Sequence, residues 1–125
     1  MRILSVDDSN ATRQFIKRAI DVLGFEFLEA ADGKEGLELL TAEGGKVDLI
    51  LLDWNMPVMD GMEMLKTIKA SSQLKGIPVT FVSTEQERHK ISEALHQGAK
   101  NFLIKPFSQE ELIGKIMESL GIELD

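Results

Sequence analysis

Short apolar runs alternate along the chain with longer amphipathic stretches. Four of these runs, residues 3–6, 47–52, 79–82 and 102–104, are rich in aliphatic residues and have the length of strands. A fifth run, residues 25–30, alternates apolar with polar positions, as a strand with one solvated face does. The pattern therefore predicts five strands.

The amphipathic stretches predict five helices, over residues 11–23, 34–43, 62–70, 85–97 and 109–120. Glycine follows the first, second and fourth of them, and glycine often ends a helix because it adopts the left-handed backbone conformation. Ser108 precedes the last helix, and Glu111 three residues later completes a capping box. The chain is thus organised as five successive β–α units.

The order of the strands follows from their composition. Parallel strands need crossover connections, and these crossovers are right-handed. The first and third strands are almost continuously apolar, which indicates central positions, whereas the alternating second strand indicates an edge. We therefore predict an α/β fold, a doubly wound parallel sheet of order 2-1-3-4-5 with five helices and a switch point between strands 1 and 3.

Composition narrows the classes of protein. The 125 residues fit one domain, which we expect to span 1–125, and the absence of cysteine excludes disulfides and thiolate metal sites. The formal net charge of −7 argues against a nucleic-acid partner. No apolar run approaches the roughly 20 residues that cross a bilayer, and the N-terminus turns acidic too soon for a signal peptide. A cytoplasmic protein with no membrane partner is expected.

Reactive side chains follow four of the five predicted strands. In such a sheet, ligands bind beyond the carboxyl ends of the strands, at the switch point. The residues at those ends are Asp7 and Asp8 after strand 1, Asp53 after strand 3, Ser83 and Thr84 after strand 4, and Lys105 and Pro106 after strand 5. Three carboxylates, a hydroxyl and an ammonium group are therefore expected at one edge.

This set of groups suits phosphoryl transfer. Each group alone has an ordinary explanation, such as a helix cap or a turn, but their occurrence together at four strand ends favours a functional site. Carboxylates this close repel one another unless a cation joins them, and Mg²⁺ prefers carboxylate and carbonyl oxygens. A carboxylate nucleophile, a metal, a hydroxyl and an ammonium group are the parts that phosphoryl transfer needs.

Four segments carry a resemblance to a known family. The chain resembles the CheY-like receiver domains of response regulators over essentially its whole length. The resemblance implies the flavodoxin-like fold and one receiver (response regulatory) domain over residues 1–125. The matching segments are VDDS at 6–9, LDWNMPVMDG at 52–61, PVTFVST at 78–84 and GAKNFLIKPF at 98–107.

The resemblance implies a phosphoacceptor and a metal site. Asp53 would accept the phosphoryl group. Asp8, Asp53 and the backbone carbonyl of Asn55 would ligate Mg²⁺, and Asp7 would act through a water molecule. The protein would then catalyse only its own phosphorylation and dephosphorylation, rather than act as an enzyme on other substrates.

The resemblance also implies residues that bind the phosphoryl group and respond to it. Ser83 would hydrogen-bond the phosphoryl group, and Lys105 would pair with Asp53 or its phosphate. Phe102 would turn inward when Ser83 moves. Thr84 and Glu85 would modulate the lifetime of the acyl phosphate.

By the same resemblance, a sensor histidine kinase or its phosphotransfer domain would be the donor. Phosphorylation would switch the face of helix 4, strand 5 and helix 5, where we expect Lys90, Ile91 and Lys115 to be exposed. The output would be a phosphorylation-dependent protein target such as the flagellar switch, and a monomer is expected. A stand-alone chemotaxis-type regulator is the first interpretation. A phosphorelay intermediate, or a receiver from a larger response regulator, is the alternative.

Two other classes fit the residues less well. An Mg²⁺-dependent phosphatase with an aspartate nucleophile, of the haloacid-dehalogenase type, needs a second aspartate two residues after the nucleophile, where Asn55 stands. A flavin-binding module needs a phosphate-binding loop rich in Ser, Thr and Gly after strand 1, and residues 8–11 do not supply one.

Overall fold

The computed structural model describes residues 1–122, so the predicted domain end at residue 125 lies outside the described residues. Its five strands confirm the prediction in number and sequence position. They are β1 (Arg2–Val6), β2 (Glu26–Ala30), β3 (Leu49–Asp53), β4 (Val79–Thr84) and β5 (Asn101–Lys105). The α-helices are α1 (Asn10–Leu23), α2 (Gly33–Ala42), α3 (Gly61–Ala70), α4 (Ile91–His96) and α5 (Gln109–Leu120).

The strands form one parallel sheet in the order β2-β1-β3-β4-β5, which confirms the predicted topology. The register places the carboxyl ends of the central strands side by side. Val6 pairs with Leu52, and Asp53 pairs with Val82. The residues that follow β1, β3 and β4 therefore emerge at the same edge, as parallel pairing requires.

Hydrophobic clusters cover both faces of the sheet. Successive side chains of a strand point to opposite faces, so β3 contributes Ile50 and Leu52 to one cluster and Leu49 and Leu51 to the other. Helices α2, α3 and α4 supply residues to the first cluster, and α1 and α5 to the second. Every residue of β3 is buried, which explains its continuous aliphatic composition.

Strand β4 has a polar connection to α5. Thr80 on β4 and Ser119 on α5 share a hydrogen bond of 2.7 Å between their hydroxyl oxygens, and both residues are buried. Buried hydroxyls need such partners. Strand β4, which carries Ser83 near its carboxyl end, is therefore joined to α5 by a specific hydrogen bond as well as by apolar packing.

The helix ends follow the expected local chemistry. Gly24 and Gly121 adopt left-handed backbone conformations directly after α1 and α5. The capping box of Ser108 and Glu111 at the start of α5 is confirmed. Among the described residues, no helix combines the length and the apolar character needed to cross a bilayer.

The predicted helix over residues 85–97 is wrong in its first half. Glu85–Lys90 form a 3₁₀ helix, and the α-helix covers only Ile91–His96. The apolar residues that pack on the sheet, Ile91 and Ala94, lie in the second half, whereas the 3₁₀ segment buries no side chain. Without an apolar stripe to bury, the first half gains little from an α-helical conformation.

The predicted exposure of Ile91 is also wrong. Ile91 is buried, and it packs around a narrow apolar gap together with Phe81, Ala94 and Phe102. Ala94 lies three positions after Ile91, so both point to the same side of the helix and pack toward the sheet. Lys90 and Lys115, which were also predicted on the exposed face, are half-buried.

Candidate functional site

Three carboxylates converge at the carboxyl edge of the sheet. Asp7 and Asp8 follow β1, Asp53 ends β3, and each offers an oxygen that lies within 4.8 Å of the other two. Asp7 and Asp53 are buried, whereas Asp8 is exposed. The structure thus brings together the three acidic residues that the sequence analysis selected, and one of them faces solvent.

Lys105 brings a positive charge to the same place. Its Nζ atom lies 3.2 Å from Oδ2 of Asp7 and 3.6 Å from Oδ1 of Asp53. The ammonium group is therefore shared by the two buried carboxylates and lies closer to Asp7. The Lys105–Pro106 peptide bond is cis. Burial lowers the pKa of Lys105, but the carboxylates of Asp53 and Asp7 raise it to a net value above its usual one.

The carboxyl group of Asp53 has a strongly shifted pKa. Loss of water through burial raises it first, and the charge of Asp7 raises it further, to about 7. Lys105 and the backbone N–H of Trp54, which donates to Oδ1 of Asp53 at 2.9 Å, act in the opposite direction. A buried carboxyl group whose pKa lies near neutrality is typical of a functional site.

Ser83 offers a free hydroxyl at the end of β4. Its Oγ atom is buried and has no hydrogen-bond partner among residues 1–122, a property that it shares with Ser5 Oγ. Because buried polar atoms are normally satisfied, an orphaned hydroxyl needs an explanation. Ser83 lies one strand away from Asp53 in the sheet, which suits a donor to a ligand at Asp53.

Thr84 and Glu85 are held by the 3₁₀ helix. Both the backbone N–H and the hydroxyl of Thr84 donate to Oε1 of Glu87, at 2.9 and 3.1 Å. Glu85 pairs with Arg88 at 2.7 Å, and both of these side chains are largely exposed. Thr84 itself is exposed. The segment after Ser83 is therefore fixed by its own side chains.

The loop after Asp53 needs glycine at position 61. A Cβ atom at Gly61 would lie 2.4 Å from the carbonyl oxygen of Asp53, too close for any other residue. The N–H of Gly61 donates to the carbonyl of Trp54 at 2.9 Å, which closes the loop. Asn55 lies in this loop and is exposed. The loop that carries Asn55 after Asp53 is therefore held closed by this hydrogen bond between Gly61 and Trp54.

Trp54 is buried directly beside Asp53. Its ring packs on Phe81, with 4.5 Å between the ring centroids. Nζ of Lys90 lies 5.6 Å from the centroid of the Trp54 ring. The single tryptophan of the chain is thus in contact with the backbone of the site and is a natural reporter of changes there.

Phe102 is half-buried on β5. It lines a narrow apolar gap, together with Phe81 and Ile91, that is too small to hold a water molecule. Nζ of Lys115 lies 5.5 Å from the centroid of the Phe102 ring. The ring therefore lies between the interior of the domain and a basic side chain of α5.

Arg13 is a residue of this site that the sequence analysis missed. Its guanidinium group donates to the backbone carbonyl of Asp7 and to Oε1 of Glu29, the latter at 2.7 Å. Glu29 lies on β2, sixteen residues further along the chain. No local motif joins these positions, so only the packing of α1 against β2 reveals the contact.

The donor set of the site suits a hard divalent cation. Three carboxylates face one lysine, which leaves an excess of negative charge, and all the candidate ligands are oxygen atoms. Mg²⁺ prefers such ligands and retains several waters, for which the exposed position of Asp8 leaves room. The residues present therefore fit Mg²⁺.

Comparison with known proteins gives a consistent result. Residues 3–117 match the family model of the response regulator receiver domain. The chain is 37% identical to the chemotaxis protein CheY1 of Helicobacter pylori, over 97% of this chain and 98% of that protein. It is also 37% identical to the chemotaxis protein CheY homolog of Campylobacter jejuni, over 97% of this chain and 93% of that protein. The solved structure of the chemotaxis response regulator CheY4 of Vibrio cholerae is similar with a TM-score of 0.86 at 37% identity, covering 95% of this chain and 98% of that chain.

Proposed function

The chain belongs to the response regulator receiver domain family, and we propose on that basis that it is a phosphorylation switch whose phosphoacceptor is Asp53. One observation supports this most directly. A buried carboxylate, a lysine and an unpaired hydroxyl meet at one sheet edge, next to two further carboxylates. These groups provide a nucleophile and the partners for a transferred phosphoryl group.

Mg²⁺ would be held by the carboxylates of Asp8 and Asp53 and by the backbone carbonyl of Asn55, with Asp7 acting through water. When bound, the ion neutralises negative charge on the site and on the phosphoryl oxygens. The chain's own contribution is to hold these oxygen ligands at the ends of rigid strands. We infer this ligand set from the donor chemistry of the cluster.

In the proposed reaction, one Oδ of Asp53 attacks the phosphorus of a phosphohistidine on the donor. The new O–P bond forms as the N–P bond breaks, and the imidazole leaves with that electron pair and then takes up a proton. Lys105 balances the charge of the transferred group, and the Ser83 hydroxyl donates a hydrogen bond to a phosphoryl oxygen. The product is an acyl phosphate on Asp53, later hydrolysed by water.

The donor would be a sensor histidine kinase or its phosphotransfer domain. Because the similarity to chemotaxis proteins extends over nearly the whole of both chains, we favour a chemotaxis-type output from a single receiver domain over residues 1–125. Its target would be a protein that recognises the phosphorylated state, such as the flagellar switch. The protein would catalyse only its own phosphorylation and dephosphorylation.

Intact-mass measurement tests the phosphoacceptor. With acetyl phosphate and Mg²⁺, the chain is expected to gain one phosphoryl group that hydroxylamine removes, because acyl phosphates react with this nucleophile. Chelation of Mg²⁺ is expected to suppress the gain. Peptide mapping after reductive trapping should place the label at Asp53. Label on Ser83, on Thr84 or on a histidine would refute the assignment.

We further propose that Phe102 couples the site to the face formed by α4, β5 and α5. Movement of Ser83 toward a phosphoryl oxygen would open space near β5, into which the Phe102 ring, packed beside Phe81 and Ile91, would turn. The ring has no polar group to satisfy inside an apolar space, so its burial is favourable. Turning inward would also remove it from Lys115 and change the surface of α5.

Replacement of Phe102 by alanine is expected to uncouple the two regions. Beryllofluoride with Mg²⁺ imitates the phosphoryl group, and the variant should still bind it and still change the fluorescence of Trp54. The amide chemical-shift changes over β5 and α5 should fall to a small fraction of those in the wild type. Phe27→Ala, which removes another half-buried phenylalanine on the edge strand β2, is the control. Shifts of wild-type size in Phe102→Ala would contradict the coupling role.

A further inference from the structure

Arg13 is a nearly buried cation whose guanidinium group has three hydrogen-bond partners. The residue lies in the first turns of α1, and only 13% of its side chain is exposed. Its guanidinium group donates to the carbonyl oxygen of Asp7, to Oε1 of Glu29 at 2.7 Å and to Oδ1 of Asn10 at 3.3 Å. The planar group thus joins α1, β2 and the end of β1.

The bond to Asp7 fixes the backbone that carries Asp8. The Asp7 carbonyl belongs to the peptide bond between Asp7 and Asp8. On the other side of this residue, the Asp7 N–H donates to the carbonyl of Ala30 at 3.1 Å, and the Asp7 carboxylate accepts from the N–H of Ser9 at 2.8 Å. Asp8 is exposed, so its short side chain depends on this backbone for its position.

We propose that Arg13 is a positioning residue of the metal site and that Glu29 orients it. By holding the Asp7–Asp8 peptide, the guanidinium group places the Asp8 carboxylate within reach of the Asp53 carboxylate. Glu29 fixes the plane of the guanidinium group from β2. Partners of this kind, which hold metal ligands in place, commonly change metal affinity by 10- to 100-fold when removed. The inference rests on the proposed Mg²⁺ site.

The charge of Arg13, taken alone, opposes Mg²⁺ binding. A positive charge beside three carboxylates repels the ion, so removing this charge would strengthen Mg²⁺ binding. Loss of positioning would weaken it. The sign of the change in affinity therefore separates the two roles, and an arginine on the same helix provides a control for net charge.

The experiment compares Mg²⁺ dissociation constants by calorimetry and by Trp54 fluorescence at fixed ionic strength. Arg13→Gln is expected to bind Mg²⁺ roughly 5- to 30-fold more weakly than the wild type. Arg18→Gln, which removes an equal charge from an exposed position of α1, should stay within about twofold of the wild type. Glu29→Gln should weaken binding by a smaller factor than Arg13→Gln.

Arg13→Lys is a second variant that separates the positioning role of Arg13 from its charge. It also replaces Arg13→Gln if that variant does not fold. Lysine keeps the charge but cannot bridge the Asp7 carbonyl and the Glu29 carboxylate with a planar group. Weaker Mg²⁺ binding in this variant supports positioning. Wild-type or tighter binding in a folded Arg13→Lys or Arg13→Gln variant overturns it. If the wild type binds no Mg²⁺ at millimolar concentration and Asp8→Asn behaves identically, the metal site itself fails, and this inference fails with it.

Discussion

Replacing Asp53 with asparagine is expected to eliminate phosphoryl uptake and, at the same time, to stabilise the fold at neutral pH. The carboxamide is not a nucleophile comparable to a carboxylate, so no acyl phosphate forms. The stabilisation has a separate cause. Asp53 is buried beside Asp7, and both burial and the neighbouring charge oppose its ionisation.

The pH dependence of this stabilisation follows from the raised pKa. In the unfolded chain Asp53 loses its proton near its ordinary pKa of 3.8, whereas in the folded chain it holds the proton up to about pH 7. The free energy of unfolding therefore falls as pH rises between these two values and levels off above the second. Asparagine removes this cost. The gain should be small near pH 4 and largest above pH 7, at about 1–4 kcal/mol.

Denaturant unfolding in the presence of a chelator measures both parts of this expectation. Asp53→Asn and the wild type are compared at about pH 5 and about pH 8, since their difference must grow with pH. Asp21→Asn removes one carboxylate from an exposed position of α1 and should change stability little. A variant that is destabilised at the higher pH would show that Asp53 is held ionised by Lys105 instead.

Replacement of Asp8 by alanine is expected to abolish the response of Trp54 fluorescence to Mg²⁺. Asp8 is the exposed member of the carboxylate cluster, so it is the one best placed for an ion that keeps several waters. Without its carboxylate, the site holds Asp7 and Asp53, and both of these already share the charge of Lys105. We expect the affinity for Mg²⁺ to fall by two orders of magnitude or more.

The Mg²⁺ affinity of the wild type should also depend on pH. A metal ligand must be deprotonated, and the pKa of Asp53 is about 7. The affinity is therefore expected to fall as pH is lowered below about 7. Calorimetric titrations at several pH values, with Ca²⁺ as a second hard cation, provide the measurement. A pH-independent affinity would contradict a role for Asp53 as a ligand, and an unchanged Trp54 response in Asp8→Ala would remove Asp8 from the site.

The fold could be predicted from the sequence because its determinants are local. The length and periodicity of the apolar runs distinguish strands from helices, and the fully aliphatic composition of residues 49–52 reflects burial of β3 on both faces. The strand order then follows from which strands are most apolar. The prediction was wrong at residues 85–90, where helix-forming residues lack apolar positions to bury and adopt a 3₁₀ helix.

The candidate site was predictable as a set of residues but not as a set of contacts. Parallel pairing brings the ends of β1, β3, β4 and β5 to one edge, so Asp7, Asp8, Asp53, Ser83 and Lys105 could be grouped from their positions alone. The sequence carries no sign that Lys105 lies closer to Asp7 than to Asp53. It also gives no sign of the raised pKa of Asp53, because desolvation depends on what covers a side chain.

Contacts between distant segments were decided by the tertiary structure alone. Arg13 and Glu29 meet because α1 packs against β2, and Thr80 and Ser119 meet because α5 packs across the sheet. Single polar residues at such positions look like ordinary surface residues in a sequence. Hydrogen bonds depend on distances and directions that only the packed chain sets, whereas hydrophobic patterning needs only the spacing of residues along it.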